Sequence, residues 1–247
     1  MPVLLEVTDA KVGVMTLSSP DRLNALTGPE FGELGAVLRS PEARDLRGLV
    51  VRGEGRGFSA GADRDYLGEL RAMDFDQRVA ALRVGFDSTR ELIRCPVPTV
   101  ALVHGACFGM AASIALACDR VITASSARWG FVFTSIGLPA SDIICHWVLS
   151  RRIGTRRAWS LLSEAVTLSG QDAAALGVAD TSMAELPAIT DLEWPAGDPT
   201  VLSATKTHIL ELEGAFAALD QQVERILPVV ATAVGGSVLG EILAARR

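Results

Sequence analysis

The residues with the clearest chemical meaning in this chain are glycines and the amides beside them. From Val97 to Asp119 the sequence reads VPTVALVHGACFGMAASIALACD. Val100 to Val103 is a short apolar run between Pro96 and Pro98 on one side and Gly105 on the other, which predicts a buried strand. Met110 to Cys118 is small and apolar without Pro or Gly, which predicts a helix. A strand, a turn flanked by Gly105 and Gly109, and a helix start leave backbone N–H groups unpaired and aimed at one point. The helix dipole favours negative charge there, so a developing oxyanion fits the place. The same residues suit a buried turn with no chemistry, and this stretch alone does not separate the two readings.

A second glycine cluster, GEGRGFSAGADRD, spans Gly53 to Asp65. It is not the G-x-G-x-x-G dinucleotide pattern, because no helix of the right phase follows. Taken singly it is a generic tight loop. Asp63 is expected to hold it by hydrogen bonds to backbone.

The bulk numbers bound the class. The chain has 247 residues, enough for one globular domain of good size. Apolar residues make up 49% and charged residues 21%, ordinary values for a folded protein. A net charge of −6 argues against nucleic acid as the main partner. Cys95, Cys107, Cys118 and Cys145 form no C-x-x-C pair and sit in apolar context, so buried free thiols are expected and metal binding is not. Glu6, Asp9 and Lys11 interrupt the first apolar stretch, which does not read as a secretory signal. No apolar stretch reaches the roughly 20 residues of a membrane span. A cytoplasmic protein is expected, with neither membrane nor nucleic acid as partner.

The elements that must position the two bends alternate. Val3 to Val7 and Val12 to Leu17 read as a hairpin, and Leu46 to Arg52 as a buried strand. Thr27 is an N-cap with Pro29 in the first turn and Glu30 three residues on. Tyr66 to Met73 and Phe75 to Arg94 are helical, as are Ile143 to Ile153 and Arg156 to Ser163, and Ser169 caps a short helix closed by Gly177. Glu185 to Thr200 is rich in Pro, Asp and Gly. Thr200 to Ala233 is helical with a break predicted near Pro228. Strand and helix alternation over the first 180 residues predicts α/β layers. The expected organisation is a core over residues 1–184, a linker over 185–197 and a helical region over 198–247.

Together, GRGFSAGAD, VHGACFGMAASIALACD, RWGFVFTSIGLP and LSRRIGTRRAWSLLSEAVTLSGQDAAALGVAD, in that order, resemble the crotonase superfamily, the enoyl-CoA hydratase/isomerase family. The resemblance covers nearly the whole chain. It implies a spiral of ββα turns with a helical C-terminal region that makes homotrimers, often paired into hexamers. It implies an acyl-CoA thioester as substrate, with coenzyme A entering as part of that substrate and no separate cofactor. The backbone amides of Ala62 and Met110 would then form the oxyanion hole. CoA would run along Arg22, Asn24 and Ala25 and along Ser59, Ala60 and Gly61, with Gly109 and Phe133 beside the acyl group. Met110 replaces a small residue usual in the family.

The chain departs from the family at its acid/base residues. Hydratases use two glutamates, and the corresponding positions here are Ser113 and Phe133. Neither side chain holds and releases a proton near neutral pH. Asp142 is the carboxylate that remains nearby, in a loop where some family members place a catalytic aspartate. It also suits the N-cap of the helix beginning at Ile143, as does Ser141. His146 stands one turn further on and faces Asp142 at i, i+4, although a lone histidine on an apolar helix is more often a core residue. One carboxylate suffices to move a proton between two carbons, so isomerisation is favoured over hydration. The alternative is a non-catalytic acyl-CoA binder that keeps the fold and the hole.

Overall fold

The computed structural model describes residues 2–139, 143–212 and 214–245. The strands are β1 (Val3–Val7), β2 (Val12–Leu17), β3 (Gly48–Gly53), β4 (Thr99–Val103), β5 (Ala106–Phe108), β6 (Arg120–Ala124), β7 (Arg128–Gly130), β8 (Thr167–Ser169) and β9 (Thr181–Met183). The helices are α1 (Gly28–Arg39), α2 (Pro41–Arg44), α3 (Arg64–Ala72), α4 (Phe75–Ile93), α5 (Met110–Leu116), α6 (Ile143–Ile153), α7 (Thr155–Ser163), α8 (Gly170–Leu176), α9 (Pro199–Leu212), α10 (Ala215–Gly235) and α11 (Ser237–Ala245).

The larger sheet has the order β1-β2-β3-β4-β6-β9. β1 and β2 are the expected antiparallel hairpin, with Val3 opposite Leu17. Every later pair in this sheet is parallel. That explains the unbroken apolar runs: β4 is buried at every position, because helices or loops cover both faces of a parallel sheet. A small second sheet, β5-β7-β8, carries the segment that follows β4. The largest fully buried side chains are Trp129, Phe58 and Phe131, and the Trp129 indole donates to Thr123 at 3.0 Å. All four cysteines are buried free thiols, as expected, and burial pushes the Cys107 thiol well above its ordinary pKa.

Local signals translate directly into helix ends. Thr27 and Glu30 cap α1 reciprocally. Asp63 accepts from the N–H groups of Asp65 and Tyr66 and so starts α3. Ser169 caps α8, and Gly177 in the left-handed region ends it.

The C-terminal helices correct one expectation. Pro228 does not break the chain; it lies inside α10, and the turn falls at Gly214, whose φ is +63°. Pro228 is on the exposed side of the helix, so water can take up the carbonyl it leaves unbonded.

α10 packs along α4. Arg83 pairs with Glu224, and Arg90 and Arg94 both reach Asp220 at 2.7 Å. Arg78 is buried and meets carbonyls instead of a carboxylate. It donates to Leu70, Arg71 and Met73 at the end of α3, and to Ala231 of α10 at 2.8 Å. Among the described residues no single helix is long and apolar enough to cross a membrane.

Candidate active site

Three short stretches of backbone run side by side at the site. Ser59 donates to Ala106, and Phe108 donates back to Ser59, which joins the loop after β3 to β5. On the other side Ala60 donates to Leu23, Leu26 donates to Gly61 and Asp63 donates to Leu26, each at 2.8 Å. In this parallel bridge Leu26 spends its bonds on residues 61 and 63, so the N–H of Ala62 points away from it. Among the described residues, the Ala62 amide has no acceptor. The Met110 amide, at the first position of α5, has none either.

Two glycines allow the approach. Gly61 has φ +86°, and a Cβ there would lie 2.3 Å from the Phe108 carbonyl oxygen and 3.3 Å from the Met110 nitrogen. Gly109, at φ +55°, turns the chain from β5 into α5 and donates to Gly130. A side chain at position 61 would wedge the two bends apart.

Ala60, Ala62, Gly109 and Met110 line one cavity of about 120 Å³. Tyr66, Leu67 and Leu70 of α3 form part of its wall, with Leu82 and Phe86 of α4, Phe31 of α1, and Val230 and Val234 of α10. Phe133 and Ile136 add a further side. Among the described residues that line it there is no carboxylate and no imidazole, and Tyr66 is the one side chain with a polar group.

Side chains expected on the CoA path brace this framework. The Arg22 guanidinium reaches Glu30 at 2.8 Å and Asp63 at 3.0 Å, tying α1 to the loop that carries Ala62. Its hydrogen bond to Glu30 raises its pKa, as do the charges of both carboxylates, against the opposing pull of burial. Burial pushes the Glu30 carboxyl up, but hydrogen bonds from Thr27 and Arg22 outweigh it and hold the group below its ordinary range. Asn24 is buried with φ +54°, and its side-chain amide donates to the carbonyls of Glu54, Gly57 and Phe58 while its oxygen accepts from Ser19. Ser59 donates to the Asn24 carbonyl at 2.6 Å and accepts from the Gly61 N–H. Ala25 is buried beside them.

The positions corresponding to the glutamates diverge in the structure. Phe133 lines the cavity with its ring against Gly109. Ser113 is buried on α5 with its hydroxyl 3.0 Å from the Cys145 sulfur of α6, and it is not among the described lining residues. His146 is exposed on α6 and does not line the cavity. Asp142 lies outside the described residues. Sequence reasoning missed Tyr66 and the Arg22–Glu30–Asp63 cluster. The capping signal of Thr27 and the backbone bonds expected of Asp63 pointed to the right segments but not to their union.

The fold and these converging bends define a class. The family model described as enoyl-CoA hydratase/isomerase matches residues 7–193, and the chain belongs to that family, within the crotonase superfamily. It is 33% identical over 198 residues to the probable enoyl-CoA hydratase EchA14 of Mycobacterium tuberculosis, covering 79% of this chain and 75% of that one. It is 32% identical over 175 residues to the 1,2-epoxyphenylacetyl-CoA isomerase of Escherichia coli, covering 70% of this chain and 66% of that one. The crystal structure of an enoyl-CoA hydratase/isomerase from Mycobacterium paratuberculosis superposes with a TM-score of 0.84 at 25% identity, over 99% of this chain and 98% of that one.

Proposed function

We propose that this chain is an acyl-CoA enzyme that shifts a proton within a thioester substrate by way of an enolate. The amides of Ala62 and Met110 donate to the thioester oxygen, and the acyl group enters the cavity they border. The observation that carries this reading is that both residues line one apolar cavity while neither amide has an acceptor among the described residues. Two N–H donors in a water-poor cavity favour the negative oxygen of an enolate over the neutral carbonyl. The loops at Arg22–Ala25 and Ser59–Gly61 supply the edge along which CoA lies, with backbone rather than free charge, since Arg22 is already paired.

Asp142 is the proposed acid/base. Isomerisation is favoured over hydration because the glutamate positions carry Ser113 and Phe133, so no second group holds a water. The isomerase among the relatives supports this direction. The enzyme is proposed to act in the cytoplasm as a homotrimer or homohexamer. α9, which buries none of its residues and exposes Val201, Ile209 and Leu212, supports the assembly.

The test is a panel of enoyl- and dienoyl-CoAs followed by the absorbance of the conjugated thioester. Turnover is expected, abolished in Asp142→Asn and retained in Ser113→Ala. Turnover that survives Asp142→Asn overturns the base assignment. Binding of acyl-CoA with no turnover on any member of the panel would replace the enzyme by a carrier.

A further inference from the structure

The cavity holds one polar group that the proposed chemistry does not use. Tyr66 is the only tyrosine in the chain. It sits in the first turn of α3, four residues after Ala62, and lines the same cavity. The residue is 9% exposed, and its hydroxyl oxygen is not among the fully enclosed unpaired atoms, so an oxygen with no protein bond among the described residues still keeps accessible surface. Buried phenols ordinarily find a partner. With no partner from the protein, the phenol oxygen is left to solvent or to whatever molecule occupies the cavity. Local sequence makes room for the phenol: at Gly28 a Cβ would stand 2.9 Å from the Tyr66 oxygen. The surrounding wall, Phe31, Leu67, Leu70 and Phe86, offers nothing to bond.

We infer that the Tyr66 hydroxyl bonds an oxygen on the acyl group of the bound thioester. The substrate class that fits is an apolar acyl chain with one hydroxyl or carbonyl oxygen beyond the thioester. This rests on the acyl-CoA reading above. Burial, with the charge of Glu69 adding to it, raises the phenol pKa and keeps the proton in place, so the group acts as a hydrogen-bond donor. A site built around such a bond discriminates strongly against the analogue that lacks the oxygen, because the phenol then stays unpaired.

The experiment compares the binding, by calorimetry, of hexanoyl-CoA with that of hexanoyl-CoAs carrying a hydroxyl on the fourth, fifth or sixth carbon. At least one hydroxylated thioester is expected to bind about tenfold tighter than hexanoyl-CoA, as one added hydrogen bond would give. Tyr66→Phe is expected to bring the ratio of the hydroxylated to the plain thioester affinity to about one, with a cooperative melting transition retained. Carbon-13 at tyrosine Cζ gives a single resonance, which is expected to shift with the preferred ligand and not with hexanoyl-CoA. Equal binding of all four thioesters, or a preference that survives Tyr66→Phe, overturns the inference and leaves the acyl-CoA reading standing. No binding of any thioester, hexanoyl-CoA included, overturns both.

Discussion

The two strips of backbone that meet beside the cavity are held by different forces. The strip from residue 57 to 63 is tied by polar side chains: Asn24 donates to the carbonyls of Gly57 and Phe58, Ser59 donates to the Asn24 carbonyl, and Arg22 pairs with Asp63 on the outside. The strip from residue 106 to 113 has no charged side chain and is fixed by burial. Cys107, Ala111, Ala112 and Ser113 are all fully enclosed. The first can be loosened by removing one hydrogen-bonding group. The second responds to volume. The lesson is that one geometric object, two bends bordering a single cavity, rests on two different kinds of support.

Gly61→Ala attacks the junction itself and should have the largest effect. The new Cβ would meet the Phe108 carbonyl at a backbone angle that alanine adopts at a cost. Losing one amide donor through the resulting shift is expected to lower turnover by about 10²–10³-fold. Steady-state kinetics on the best thioester would check this, and an unaltered rate would mean that the bends need not touch.

Asn24→Ala tests the polar support next. It strips partners from three carbonyls and one N–H, with an expected loss of about 3 kcal/mol in urea denaturation. Hydrogen exchange should rise over residues 57–63 and stay low over 106–113. Equal rises in both would erase the distinction between the strips.

Glu30→Gln is the mildest. The folded-state pKa of Glu30 is depressed, so its contribution is present above the ordinary carboxylate range and is lost as pH falls through the folded value. The variant should be about 2 kcal/mol less stable than the parent at neutral pH. The gap should close in acid, as measured by denaturation midpoints across pH. A gap that persists in acid would assign the loss to packing.

Helix ends, the hairpin and the buried strands were legible because each is written within a few adjacent residues. Thr27 and Ser169 announce their caps within three positions, and Gly177 its stop. That the two bends meet at one cavity was legible only because four segments together resembled a known family; neither bend carries the signal alone. What lies across the chain was not legible. Arg22 finds Asp63 over 41 positions, and nothing near either residue encodes the other. Tyr66 looked like any helical aromatic, because which face of α3 turns inward depends on α4 and α10. The break misplaced at Pro228 has the same origin: whether a helix carries an interior proline depends on its packing and on what takes up the freed carbonyl, neither of which is written beside the proline.

Val230 and Val234 are made about 200 residues after Phe31, yet they complete a wall that it begins. Arg78, with one hand on the end of α3 and the other on Ala231, stays short of a carbonyl partner until α10 arrives. During synthesis, then, the half-finished protein carries an open greasy trough and a buried cation without its full set of bonds. The trough is shielded only once α10 has emerged from the ribosome, so the interval before that is when the earlier segments are most open to misfolding.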